Sequence, residues 1–400
     1  MPTLLGIVLL AGIGFPLAAA SGPLAGSMIH PWLVRSSVVP TTSPSCSSSG
    51  LCPSWVTTAY QFSTLRTNSS TNGTGQTVVI VDACGDASII SDLAQFDSSF
   101  GLAKPNLTVY QPQGKPCSDP FGWGIESALD VEWAHAIAPG ASIALVEAAS
   151  PSNTNLFGAW NYSLSHHLGN EISNSWGGGG GCPNVAKRLL STASSQHVTV
   201  LASTGDSSAW GSGTLASAQF PADCSAVVGV GGTSLSVNST GGYSSESAWN
   251  GGGGGYVPST KEPSYQHKAN ITDSYAELGK PDVSAVADPA TGVWVYEAAS
   301  GGWFVVGGTS VACPIWAAYF ADVNSWRATG ALTALGNVVP FLYASVYGVN
   351  GGSIHYATTM HDVSSGSNGW AAAAGWDAAT GIGSFRAYAL ASFLASSPTA

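Results

Sequence analysis

The sequence is short of charge. Only 8% of its 400 residues are Asp, Glu, Lys or Arg, against about 25% in an ordinary soluble protein. Basic residues are the scarcer kind: 11 Lys and Arg stand against 22 Asp and Glu, for a formal net charge of −11 at pH 7. Nucleic-acid binding and polybasic membrane attachment both need clustered cations, so this balance argues against either partner. Beyond the N-terminus no stretch is long and apolar enough to span a bilayer, which takes about 20 residues. No internal repeat is visible. What remains is a chain that is 44% hydrophobic with 14 Trp, 50 Gly and 22 Pro. That supplies a large core and argues against wholesale disorder.

Acidification builds up little positive charge here, because 11 Lys/Arg and 8 His cap it. Self-repulsion at low pH therefore stays weak. The composition suits work in acid, and it equally suits a Gly/Ser/Thr-rich exported surface.

Leu4 to Leu17 form an apolar run followed by Ala18-Ala19-Ala20-Ser21, a small-residue cleavage pattern. Residues 1–20 read as a signal peptide and the protein as secreted. The run has no Lys or Arg before it, so an uncleaved anchor is the alternative. Asn-x-Ser/Thr sequons at Asn68, Asn72, Asn106, Asn161, Asn238 and Asn270 fit a glycosylated exported chain. Of the seven cysteines, Cys313 lies in an apolar helix-like run and is the candidate free, buried thiol. The simplest pairing of the rest is Cys46–Cys52, Cys84–Cys117 and Cys182–Cys224, one of several that the sequence allows.

Residues 21–45 are Pro/Ser/Thr-rich with little periodicity and read as a linker or short pro-segment. From residue 46 to residue 400 the chain reads as one large domain. Short apolar runs (77–81, 142–147, 171–175, 198–202, 227–230, 294–297, 303–306) read as strands. Helical patterns (125–138, 155–168, 185–195, 310–326) alternate with them. Fully apolar strands alternating with helices predict an α/β, doubly wound, mainly parallel sheet with helices on both faces. Sites in such folds collect at the carboxyl ends of strands.

Three segments carry chemistry. In Gly307-Gly308-Thr309-Ser310-Val311-Ala312-Cys313-Pro314 a strand ends at two Gly and Ser310 opens a helix. Its N–H and the helix dipole suit an anionic intermediate, although Ser is also an ordinary helix cap. In Gly124-Ile125-Glu126-Ser127-Ala128-Leu129-Asp130 two carboxylates lie four apart, on the helix face that also carries Leu129, Trp133 and Ile137. Burial and mutual repulsion should raise one of their pKa values, as a proton-transferring group requires. Thr204-Gly205-Asp206-Ser207 puts an Asp at a strand end, either an Asx turn or a carboxyl group at the site.

In this order and spacing the segments resemble the sedolisin family, the serine-carboxyl peptidases with a subtilisin-like fold. Ser173-Asn174-Ser175-Trp176-Gly177, Pro281-Asp282-Val283-Ser284-Ala285, His361-Asp362-Val363-Ser364 and Gly375-Trp376-Asp377 through Gly383 extend the likeness. The resemblance implies Ser310 as nucleophile, Glu126 as its general base and Asp130 as the group that orients Glu126 and shares its proton. It implies Asp206, protonated, as an oxyanion donor, and Ser175, Trp176 and Gly177 as the edge that pairs with an extended polypeptide substrate. It also implies one Ca2+, held by the side chains of Asp362 and Asp377 and the carbonyls of Val363, Ala373 and Gly375. A usual Ser is replaced by Gly307 and a frequent Gly by Ala373. Family members carry a long prodomain, whereas here only the short stretch before residue 46 is expected to act as linker or pro-segment.

The expected protein is a monomeric, secreted, acid-acting endopeptidase with no stable membrane partner. The alternatives are a tripeptidyl-type exopeptidase and a catalytically inactive binding or cell-surface module on the same fold. An ordinary subtilisin triad would need Asp82, a His and Ser310. There is no His-Gly-Thr segment, and His135 reads as a packed helix residue.

Overall fold

A computed structural model describes residues 29–35, 39, 44–69, 71–118, 122–210, 218–271 and 276–398; the expected signal peptide lies outside them. In chain order the strands that build the site are β1 (His30–Pro31), β2 (Val34–Arg35), β3 (Thr77–Ala83), β4 (Asn106–Tyr110), β5 (Ser142–Ala148), β6 (Glu171–Asn174), β7 (Trp176–Gly179), β8 (Thr199–Ser203), β9 (Val228–Val237), β10 (Tyr243–Ala248), β11 (Val283–Val286), β12 (Val293–Glu297) and β13 (Gly302–Gly307). The main helices are α1 (Trp123–Ile137), α2 (Asn153–Ser165), α3 (Asn184–Ser195) and α4 (Thr309–Thr329).

The central eight-stranded sheet runs β10-β9-β8-β6-β3-β5-β4, with β11 also paired to β9. Every pairing in it is parallel except β9 with β10. β3 shows why the sheet is buried on both sides. Val78 and Ile80 join the core that holds Leu129 and Trp133 of α1 and Val311 and Ile315 of α4. Val79 and Val81 join the other core, with Trp160 of α2 and Leu190 of α3. Alternate side chains of an extended strand point to opposite faces, so one apolar run serves two helical layers.

One expectation changes. The runs 294–297 and 303–306 are β12 and β13, an antiparallel hairpin in a separate sheet with β2, rather than members of the parallel sheet. An apolar run reports burial, not the direction of its partner. The 29–35 stretch, within the segment read as a linker or short pro-segment, forms β1 against β7 and β2 against β13.

The three disulfides are Cys46–Cys52, Cys84–Cys117 and Cys182–Cys224, and Cys313 is free and buried. Among the described residues no helix is long and apolar enough to cross a membrane.

Candidate active site

α1 carries Glu126 and Asp130, and all fifteen of its residues are buried. It packs against α4, whose second residue is Ser310. Gly308 precedes α4 with φ of +117°, a conformation that suits Gly alone. A Cβ at Gly307 would lie 2.3 Å from the Pro289 nitrogen and 2.5 Å from the Ala287 oxygen. The Gly that replaces the usual Ser is therefore the residue this backbone has room for.

Ser310, Glu126, Asp130 and Asp206 converge. The Ser310 hydroxyl donates to the Ser175 carbonyl at 3.2 Å, and the Ser175 hydroxyl donates to Asp130 Oδ1 at 2.8 Å. Ser175 thus turns its side chain inward to Asp130, while its carbonyl lines the cleft. Asp206 follows β8; its Oδ1 accepts from the Thr309 N–H at 2.8 Å and the Thr309 hydroxyl at 3.0 Å. Thr309 Oγ1 in turn accepts from the Gly205 N–H at 2.9 Å. Trp176 and Gly177 lie in β7, antiparallel to β1.

The electrostatics are one-sided. Both Glu126 carboxyl oxygens, Asp130 Oδ2, Asp82 Oδ1 and Asp206 Oδ2 are buried without a hydrogen-bond partner among the described residues. Burial raises the Glu126 pKa well above its ordinary value, and the charges of Asp130 and Asp82 add to it, while the neighbouring Ser310 hydroxyl opposes. Asp130 is raised well above its ordinary value by burial and then by Asp82. Burial pushes Asp82 up to about 7, against the Ser127 hydroxyl that donates to it at 3.0 Å. Asp206 is likewise pushed up to about 7 by burial, opposed by its two Thr309 donors. Carboxyls packed this way cannot all ionise, so they share protons.

Asp82, which the sequence offered only as the acid of a subtilisin-type triad, belongs to this cluster, as do Ser127 and Thr309, which lie inside the motif segments without being site candidates there. His135 stands apart: it is buried, 2.8 Å from the Ala103 carbonyl and 3.6 Å from Asp97 Oδ1. Among the described residues the Asp–His–Ser arrangement of an ordinary subtilisin is not assembled around Ser310.

The C-terminal loop brings together Asp362, Val363, Ala373, Gly375 and Asp377. Asp362 accepts from the Gly375 N–H at 3.1 Å, and Asp377 Oδ2 accepts from the Ala373 N–H at 3.0 Å. The Thr380 hydroxyl bridges Asp377 and the Val363 carbonyl. Ala373 lies outside the left-handed backbone region, so the Gly frequent there is not required. A separate buried group, Asp86, Asp92 and Glu297, places carboxylate oxygens within 4.8 Å of one another.

Residues 112–337 match the subtilase family. The chain is 33% identical to kumamolisin of Bacillus sp. (strain MN-32), over 86% of this chain and 63% of the relative. It is 30% identical to sedolisin of Pseudomonas sp. (strain 101), over 86% and 61%. It spans about three-fifths of the length of these relatives. The solved structure of Pseudomonas sedolisin, a serine-carboxyl proteinase complexed with two molecules of pseudo-iodotyrostatin, superposes with a TM-score of 0.76 at 28% identity. That match covers 88% of this chain and all of the other.

Proposed function

The chain belongs to the sedolisin family of serine-carboxyl peptidases on the subtilase fold, and from that premise we propose that it is a secreted, acid-acting endopeptidase with Ser310 as its nucleophile. One observation carries the reading: the serine at the start of α4 is surrounded by buried carboxyls with no cation paired to them among the described residues.

Each residue then has a task. Glu126 takes the Ser310 proton during attack on the peptide carbonyl and returns it to the leaving amine. Asp130 shares the proton of the Glu126 pair and keeps the pair singly charged, held in place by the Ser175 hydroxyl. The oxyanion faces the Ser310 N–H and Asp206 Oδ2. An amide N–H donates at any pH, but a carboxyl donates only while protonated. Asp206 is protonated below about pH 7, which supports action in acid. The edge Ser175-Trp176-Gly177 pairs with an extended polypeptide.

Asp362 and Asp377, with the Val363, Ala373 and Gly375 carbonyls, offer the hard oxygen donors that Ca2+ prefers, and hydrogen bonds already hold these residues in one loop. We assign one Ca2+ there, where it cross-links the loop by coordination. Saturating Ca2+ should raise the thermal midpoint of the wild type, and Asp377→Asn should remove that increment.

The deciding experiment is hydrolysis of a denatured protein from pH 2 to 8 by wild type, Ser310→Ala and Glu126→Gln. Activity confined to acid and lost in both variants is expected. A neutral optimum that survives Glu126→Gln would overturn the reading.

A further inference from the structure

Asp86, Asp92 and Glu297 come from three separate elements: the loop that leaves β3, the helix Ile89–Phe100 and the last residue of β12. One carboxylate oxygen of each lies within 4.8 Å of the other two. The residues are buried, with exposures of 8%, 1% and 2%. None of the ion pairs among the described residues involves any of them. Like charges gathered this closely out of water repel strongly unless a cation or shared protons offset them.

Main-chain donors hold the three in place. Asp86 Oδ1 accepts from the Ser88 N–H at 2.8 Å, Asp92 Oδ2 from the Ala298 N–H at 3.1 Å, and the Glu297 oxygens from the Ala299 and Ser300 N–H groups at 3.0 and 2.6 Å. The Ser88 hydroxyl lies 2.8 Å from both Asp86 Oδ1 and Asp92 Oδ2, but its single hydrogen can serve only one of them. Asp86 Oδ2 is buried without a partner among the described residues. Glu132 of α1 adds an independent sign. It is fully buried, its Oε2 accepts from the N–H of Tyr296, next to Glu297, at 3.1 Å, and its Oε1 has no partner among the described residues. Burial raises its pKa well above the ordinary value, and the charges of Asp92, Asp97 and Asp86 add to it against the Tyr296 donor. Asp86 also lines a cavity of about 540 Å³ with Gln111, Lys115 and Glu147, which gives an ion a route from solvent.

We propose that Asp86, Asp92 and Glu297 form a second cation site, separate from the C-terminal loop, that takes one small hard divalent ion of the Mn2+ or Mg2+ kind, with Glu132 as a fourth carboxylate beside it. An all-oxygen donor set selects this class over Zn2+, which favours nitrogen and sulfur. Three carboxylates and the Ser88 hydroxyl fall short of the 6–8 oxygens that Ca2+ takes, and suit an octahedral ion that keeps some of its water. Opposed oxygens around Mg2+ stand about 4.2 Å apart, so the three carboxylates need draw in by at most about 0.6 Å, and the ion's charge pulls them that way. Bound there, the ion ties the exit of β3, the helix Ile89–Phe100 and the end of β12 together. All three ties fall beside α1, the helix that carries Glu126 and Asp130.

The test uses the full chain with Ser310→Ala, stripped with a chelator and returned to excess Ca2+ at pH 6.5. Mn2+ is added, and bound ion is counted by the loss of the free-ion paramagnetic signal. One Mn2+ per chain is expected, and the thermal midpoint should rise by about 3 °C above its value in Ca2+ alone once Mn2+ exceeds its dissociation constant about 100-fold. Adding Mg2+ identifies the ion: displacement of Mn2+ assigns the site to either, and retention assigns it to Mn2+. Asp92→Asn keeps an acceptor for the Ala298 N–H but removes one charge, and should weaken Mn2+ binding at least about 10-fold. Its thermal midpoint without Mn2+ should hold or rise, because the repulsion is relieved, which separates loss of the site from loss of the fold. Glu297→Gln should behave alike. A folded parent chain that binds no Mn2+ in excess Ca2+, or binding that neither variant weakens, overturns the inference.

Discussion

Asp282 and Asp130 are both fully buried aspartates, and the fold treats them in opposite ways. Asp282 Oδ2 receives the Lys280 ammonium at 2.5 Å and the Gly229 N–H at 2.8 Å, and its Oδ1 receives the Tyr343 hydroxyl at 3.0 Å. Lys280 itself is anchored on the Val227 carbonyl at 2.6 Å. Asp130 receives one hydroxyl, leaves an oxygen unpartnered among the described residues, and faces Glu126 and Asp82, which carry the same sign of charge. A buried carboxylate that only has to stand in place can be fully satisfied. One that has to handle a proton is left short of donors and cations, so that its protonated form remains accessible.

The largest effect expected from this difference is on stability against pH. Burial raises Glu126 and Asp130 well above their ordinary values, Asp82, Asp97 and Asp206 to about 7, and Glu171 to about 8. The folded chain keeps protons that the unfolded chain releases from about pH 4 upward. For Asp82, Asp97, Asp206 and Glu171, folding therefore gains its full contribution below about pH 4 and loses it as pH rises through about 7 to 8, and Glu126 and Asp130 act in the same direction. Buried His135 and His361, whose pKa values burial lowers, pull the other way below about 6.5, but the carboxyls outnumber them. Denaturant unfolding of Ser310→Ala should show stability falling by several kcal/mol from pH 4 to pH 8. A flat or rising profile would contradict the burial argument.

Next in size is the contrast between the two aspartates themselves. Lys280→Met strips Asp282 of its cation and should cost about 3–5 kcal/mol of stability, with turnover by molecules that remain folded near wild type. Asp130→Asn should do the reverse. It removes an uncompensated charge, so stability holds or rises, while kcat falls by about 10²–10⁴-fold. Unfolding measured beside kcat separates the two, and a destabilised Asp130→Asn would break the comparison.

The smallest effect is the most specific. Removing an oxyanion donor outright, as in Asp206→Ala, should cost about 10²–10³ in kcat. Asp206→Asn keeps a donor that never titrates, so it should lose less and extend activity to higher pH. An unmoved upper limb of its pH–rate profile would show that Asp206 does not set that limb.

Much of the site was legible from local pattern. Glu126 and Asp130 announce themselves as a carboxylate pair on an apolar helix face, and Ser310 as the residue where a Gly-ended strand turns into a helix. Ser175 illustrates the limit. The family resemblance marked its segment as a candidate substrate edge, but its hydroxyl on Asp130 depends on β6 ending beside α1. The contacts of Asp82 and Thr309 were hidden for the same reason: each meets a partner distant in the chain, Ser127 for one and Asp206 for the other.

Sequence alone determined the layered α/β architecture, the two-faced burial of β3, and the helices bearing Ser310 and the carboxylate pair, because side-chain periodicity and spacing encode these directly. Tertiary structure alone decided three matters. It set β12 and β13 as an antiparallel hairpin, gathered the carboxyls around Ser310, and laid residues 29–35 through the cleft with the Trp32 carbonyl on the Ser310 amide. That last segment is held largely by backbone hydrogen bonds and by space left at glycines. Neither leaves a periodic mark in the residues it joins, so a stretch with the composition of a linker sits where a substrate would.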